Sequence, residues 1–172
     1  MNRAALPLRM ALPALLLAAS PPLLAATPAA ESDAGAIVLK PLSLIKKTDM
    51  DFGTLITSAT AGTATIDPVT GAVTTTGGVT PVGSATSAAV FLGAGSRNAP
   101  YQIRLPSKPI TLTRVGGGGT MSVTNWTLDG ATNRKIGANE AFQFGVGAQL
   151  TVAANQADGT YVGTFDVTVH YP

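Results

Sequence analysis

The last fourteen residues, "GTYVGTFDVTVHYP" (159–172), constrain the fold more than any other stretch. Small or apolar residues fall at Tyr161, Gly163, Phe165, Val167, Val169 and Tyr171, and the residues between them (Val162, Thr164, Asp166, Thr168, His170) are mostly polar. This period of two places one set on one face of an extended chain and the other set on the opposite face, as in a half-buried β-strand. A strand with one apolar face needs other strands to cover it. Shorter runs of the same character recur along the chain, and no window of ten or more residues carries the three-and-four spacing of an amphipathic helix.

The runs are separated by turn residues. "AIVLKPLSLI" (36–45) is the first expected strand, with Pro41 marking an edge or a break. "DMDFGTLI" (49–56) follows the basic pair Lys46 and Lys47. "GTATIDPVTGAVTTTGG" (62–78) reads as a hairpin, with Pro68 presetting a turn dihedral and Gly71 free to take positive φ. Next come "SAAVFLGA" (87–94), "YQIRLP" (101–106) and "ITLTRV" (110–115), then the connection "GGGG" (116–119). "TMSVTNWTLD" (120–129) directs Met121, Val123 and Trp126 inward. "AFQFGVGAQLTVAA" (141–154) supplies two short strands or one bent strand, broken near Gly145 and Gly147. Eight to ten short strands without helices predict an all-β antiparallel sandwich.

The first thirty residues are of another kind. Arg3 and Arg9 flank the start, "MALPALLLAA" (10–19) is a short apolar core, and "LLAATPAA" offers small residues for cleavage. This is the pattern of a secretory signal, and the run is too short to span a bilayer. The expected division is a signal peptide over 1–26, ending at Ala26, and a single β-sandwich domain over 27–172. Without Arg3 and Arg9 the eleven Lys/Arg become nine against nine Asp/Glu, a net charge near zero. That balance gives no basis for binding nucleic acid. The chain has no cysteine, so an exported domain of this sequence must hold together without disulfides.

Residues suited to catalysis are few. His170 is the only histidine and lies on the polar side of the last strand, with no Gly-x-Ser-x-Gly elbow and no cysteine nucleophile to accompany it. Asp49 and Asp51 share one strand face and could offer oxygen ligands to calcium, but two carboxylates fall short of a calcium site. The four glycines lack the lysine and following helix of a phosphate loop. The nine aromatics are scattered singly through alternating runs, the placement of core residues rather than of a sugar-stacking platform. The expectation is a non-enzyme with no catalytic residue, no cofactor and no metal.

Two resemblances follow from quoted residues. "PLSLIKKTDMDFGTL", "GTATIDPVTGAVTTTGGV" and the closing "GTYVGTFDVTVHYP" resemble a family of exported bacterial β-domains catalogued as a domain of unknown function, over about Ile37 to Tyr171. The ending also resembles subunits of chaperone–usher pili, which close on an alternating strand with a penultimate tyrosine and a glycine fourteen residues from the end. Tyr171 and Gly159 occupy those places, and Asp51-Phe52-Gly53 is similar to a Phe-Gly motif of such subunits.

The second resemblance implies an all-β, immunoglobulin-like antiparallel β-sandwich open to strand complementation, its missing strand lent by a periplasmic chaperone and then by a like subunit. It implies a strand-exchange groove walled by Gly159, Tyr161, Phe165, Val167, Val169 and Tyr171. It also implies a donor segment with Ile37 and Leu39 on one register and Leu42 and Leu44 on the other. The location implied is the periplasm, surface or fimbrium of a Gram-negative bacterium, with no transmembrane segment in the mature chain. Two features depart from the pilin pattern: the disulfide is absent, and only about ten residues lie between the expected cut and Ile37. The alternative is a self-contained periplasmic or cell-surface binding module of unknown ligand, recognising sugar or protein through loops such as 116–119.

Overall fold

The computed structural model describes residues 34–83 and 85–172. The expected signal peptide, 1–26, lies outside the described residues. The strands belong to one compact unit, Ile37–Pro172. In chain order they are β1 (Ser43–Thr48), β2 (Leu55–Ile56), β3 (Gly62–Ile66), β4 (Val73–Gly77), β5 (Thr80–Pro81), β6 (Ala89–Ala94) and β7 (Pro100–Arg104). There follow β8 (Ile110–Arg114), β9 (Thr120–Leu128), β10 (Asn133–Lys135), β11 (Ala141–Val152), β12 (Tyr161–Val162) and β13 (Thr168–His170). All pairings are antiparallel and no helix occurs among the described residues, so the all-β, β-sandwich-like class read from the sequence stands.

The large sheet is organised by β11. One edge of β11 carries β6 along its first half and β3 along its second, and β1 and β4 extend these; the other edge carries β9, then β8, then β12. The even-numbered residues of β11, from Phe142 to Val152, form a continuous buried row at 8% exposure or less. The strand does not break at its glycines. They serve instead where the end of β3 crosses the outer face: a Cβ at Gly145 would fall on the Pro68 carbonyl oxygen, and one at Gly147 on that of Ile66. Absence of a side chain admits the hairpin there.

Outward positions are rich in hydroxyls. One row crosses five strands in register, Thr76, Thr63, Thr151, Ser122 and Thr111. Its first two members share a hydrogen bond of 2.7 Å. β-Branched residues suit a pleated surface with one wet face, so these strands form without needing apolar residues on both sides.

Val123 and Trp126 both face inward although three residues apart, which plain alternation forbids. A β-bulge resolves this. Thr124 opposes Gln149 and Thr127 opposes Gly147, so Asn125 and Trp126 together face one residue of β11. Asn125 takes φ of 50°, a left-handed conformation that asparagine tolerates.

Two covers lie over the inner face. Tyr101 and Ile103 of β7, Ile136, Val167 and Val169 pack with Phe142, Phe144 and Val146. Met50, Phe52 and Leu55, next to and within β2, pack over Ala148, Leu150 and Val152. The first cover is the sheet β10-β7-β13, and the second contains the pair β2-β5.

Candidate functional site

Between these covers a cleft of about 840 Å³ with an apolar floor remains open. Its floor is the inner face of β8, β9 and β11, presented by Ile110, Leu112, Met121, Val123, Trp126 and Leu150. One wall is the segment 49–57 and the other is the chain from 156 to 163 with Phe165.

The first wall is pinned on its outer side. Asp51 exchanges backbone hydrogen bonds with Ser87 at 2.9 and 3.0 Å, Val82 donates to the Thr54 carbonyl at 2.9 Å, and β2 pairs with β5. Gly53 has φ of 71°, and its N–H donates to the Asp51 carboxylate, turning the chain within the wall.

The second wall begins where Gly159, at φ of 138°, lies against the Arg114 side chain. Tyr161 then fixes the end of the cleft: its hydroxyl accepts from Gln156 Nε2 and donates to the Ala157 carbonyl. β12 pairs with β8 in the large sheet, whereas β13 pairs with β7 in the second sheet. The last strand therefore crosses from one sheet to the other. Over the crossing, residues 163–167, no backbone hydrogen bond joins the segment to another described residue. Thr164 and Asp166 are exposed and Phe165 and Val167 half-buried, so the segment keeps strand-like alternation without a strand partner.

Phe165 closes the deep side of the cleft, with its ring 4.7 Å from that of Trp126 and 6.3 Å from that of Phe91. The Trp126 indole N–H is buried and has no hydrogen-bond partner among the described residues. A buried donor left unmade costs about 1–3 kcal/mol.

The residues expected to wall a groove separate into two groups. Gly159, Tyr161 and Phe165 line the cleft. Val167 and Val169 pack into the core beneath β7. The Tyr171 ring also packs there, and its hydroxyl forms a clasp, accepting from the Ser96 N–H at 2.9 Å and donating to the Lys40 carbonyl at 2.8 Å. Lys40 N–H in turn donates to Ser96 Oγ, and Lys40 Nζ meets Glu140, each at 2.6 Å.

The expected donor residues separate likewise. Leu42 and Leu44 pack into this chain's own core, and β1 is paired with β6, so the strand expected over 36–45 begins only at Ser43. Ile37 is 90% exposed and Leu39 40%, and neither is in a strand. The wall 49–57 and the β8–β9 floor were not assigned to the groove from the sequence. Apolar Met50, Phe52 and Leu55 were the available signal, but which surface they face is set by long-range pairing.

His170 pairs with Gln102 across the β7–β13 ladder and is half-buried. The Asp49 carboxylate is met by Lys46, and among the described residues no three metal-ligating side chains come together. Glycines 116, 117 and 118 all take positive φ in a tight link from β8 to β9, closed by the Gly117 N–H donating to the Arg114 carbonyl.

Fold and site together define a class: an antiparallel β-sandwich whose apolar interior is left open beside its last strand. The chain belongs to the family described as domain of unknown function DUF4402, which matches residues 42–171. No curated protein and no solved structure matches it.

Proposed function

We propose that this chain is a non-enzymatic, exported structural subunit of fimbrial type, which assembles by accepting a β-strand from a partner. The observation that carries the reading is the unpaired segment 163–167 beside an open cleft with an apolar floor. An edge strand with free backbone groups is a template for another strand. An extended strand laid there gains ladder hydrogen bonds from 163–167 and buries alternate side chains on Leu112, Met121 and Val123. A periplasmic chaperone would supply that strand first and a like subunit later. The exposed residues Ile37 and Leu39 give the chain apolar positions to offer in return.

The test uses the purified chain and a peptide of alternating apolar residues. Trp126 is the only tryptophan and lines the cleft, so its emission reports occupancy. Binding should shift that emission and slow amide exchange at 163–167 while leaving β11 unchanged. Unaltered exchange at 163–167 in the presence of saturating peptide would remove the reading.

A second reading, a self-contained periplasmic or surface module that binds a ligand, draws on the same cleft. Its volume falls within the roughly 300–1,000 Å³ of small-molecule sites. In that case a stable monomer would ignore the peptide and its exchange pattern would change only with a small apolar ligand.

A further inference from the structure

The charge around the cleft is one-sided. Asp49, Asp51 and Asp158 line it, and no lysine or arginine does. Asp166 adds a fourth carboxylate on the exposed side of the unpaired segment 163–167. Two of the four have cationic neighbours outside the lining: Lys46 meets Asp49, and Arg114 stands 4.0 Å from Asp158. Asp51 accepts the Gly53 N–H at 2.8 Å and has no ion-pair partner among the described residues. Asp166 has no ion-pair partner among the described residues.

The segment that a second copy would offer has charge of the same sign. Residues 27–39, "TPAAESDAGAIVL", contain Glu31 and Asp33 and no lysine or arginine. The next cation, Lys40, is engaged with Glu140 and tied through its backbone to Ser96 and Tyr171. These bonds hold Lys40 to its own domain and outside the segment on offer.

We infer that the cleft selects an extended strand of a different protein, apolar at alternate positions and flanked by Lys or Arg, over the tail of a second copy of this chain. The inference rests on the strand-acceptor reading and specifies its partner. A strand paired with 163–167 sets one of its own outward residues beside Asp166, where opposite charges attract and like charges repel. Carboxylates at the cleft also bias encounter before docking, because complementary charge acts mainly on the association rate. The consequence is directional assembly. Subunits of this sequence do not polymerise on themselves unaided, and a like subunit qualifies as donor only if its tail carries the opposite charge.

Three peptides with the same purpose test this on the full chain: one alternating apolar core flanked by lysines, the same core flanked by glutamates, and a copy of residues 27–39. Association is followed by Trp126 fluorescence in stopped flow. At low ionic strength the lysine peptide should associate roughly tenfold faster than the glutamate peptide, and the copy of 27–39 should behave like the latter. The difference should collapse at about 0.5 M salt, where charges are screened within a few ångströms. It should also shrink in the double variant Asp51→Asn, Asp166→Asn, whose changes lie on exposed carboxylates. Equal rates for the lysine and glutamate peptides at low salt, with both binding, would overturn the charge selection and leave the acceptor cleft standing. Faster binding of the 27–39 copy would show self-donation instead. Failure of all three to bind would overturn the cleft reading and the selection together.

Discussion

At the scale of single residues, the penultimate Tyr171 and the turn residue Asp67 each hold distant or bent chain through a few named bonds. The Tyr171 hydroxyl both donates and accepts, joining Lys40 to Ser96. Tyr171→Phe keeps the ring and removes both bonds. It should lower stability by about 1–2 kcal/mol, read from the denaturant midpoint, with faster amide exchange at Ser96 as the local signature. Asp67 caps the β3–β4 turn: its carboxylate accepts from Thr70 N–H at 2.7 Å, Thr70 hydroxyl at 2.9 Å and Val69 N–H at 2.9 Å. The Thr70 N–H foremost, then its hydroxyl and the Val69 N–H, hold this carboxyl below the ordinary carboxylate range. A folded-state value depressed in this way gives stability that is present above the unfolded value and lost as pH falls through the folded one. Asp67→Asn should therefore lower the neutral plateau and flatten the acid limb of a stability–pH profile, with little change at its acid end. An acid limb as steep as that of the parent chain would count against the turn as its source.

At the scale of elements, alternation made most strands readable and gave little information on their neighbours. The β3–β4 hairpin was legible because its turn chemistry and both arms lie within one short stretch of sequence. β5 and β10, of two and three residues, carry no period and are held by their partners alone. The glycines of β11 were read as a break because glycine weakens a strand in isolation. Their actual role, admitting Pro68 and Ile66, depends on chain nearly eighty residues away. Gly145→Val should consequently destabilise the fold by about 1–3 kcal/mol through overpacking, measured as a fall in the unfolding midpoint. At Gly117 an added Cβ would meet no atom within 4 Å, so there it is the positive φ of 86°, and not packing, that opposes a side chain. The bulge at Asn125 was equally hidden, since only the register against β11 exposes it. Expecting Trp126 inward agreed with the structure, although simple alternation from Val123 would have turned it out.

At the scale of the whole molecule, the class of fold was written in the sequence, and the family match over residues 42–171 covers nearly all of the described unit. The cleft was legible only by half. The final strand announced one wall through Tyr161 and Phe165, but the facing wall lies more than a hundred residues earlier and meets it only after folding. Pairing then divided a single alternating run into three jobs: β12 in one sheet, β13 in the other, and a free crossing between. The Tyr171 clasp has a further consequence, for load. Tension applied to the chain ahead of Lys40 does not fall on β1 alone. It passes through one phenol to the final strand and through Ser96 to the turn after β6, so pulling there loads the last strand and that turn together with the first strand.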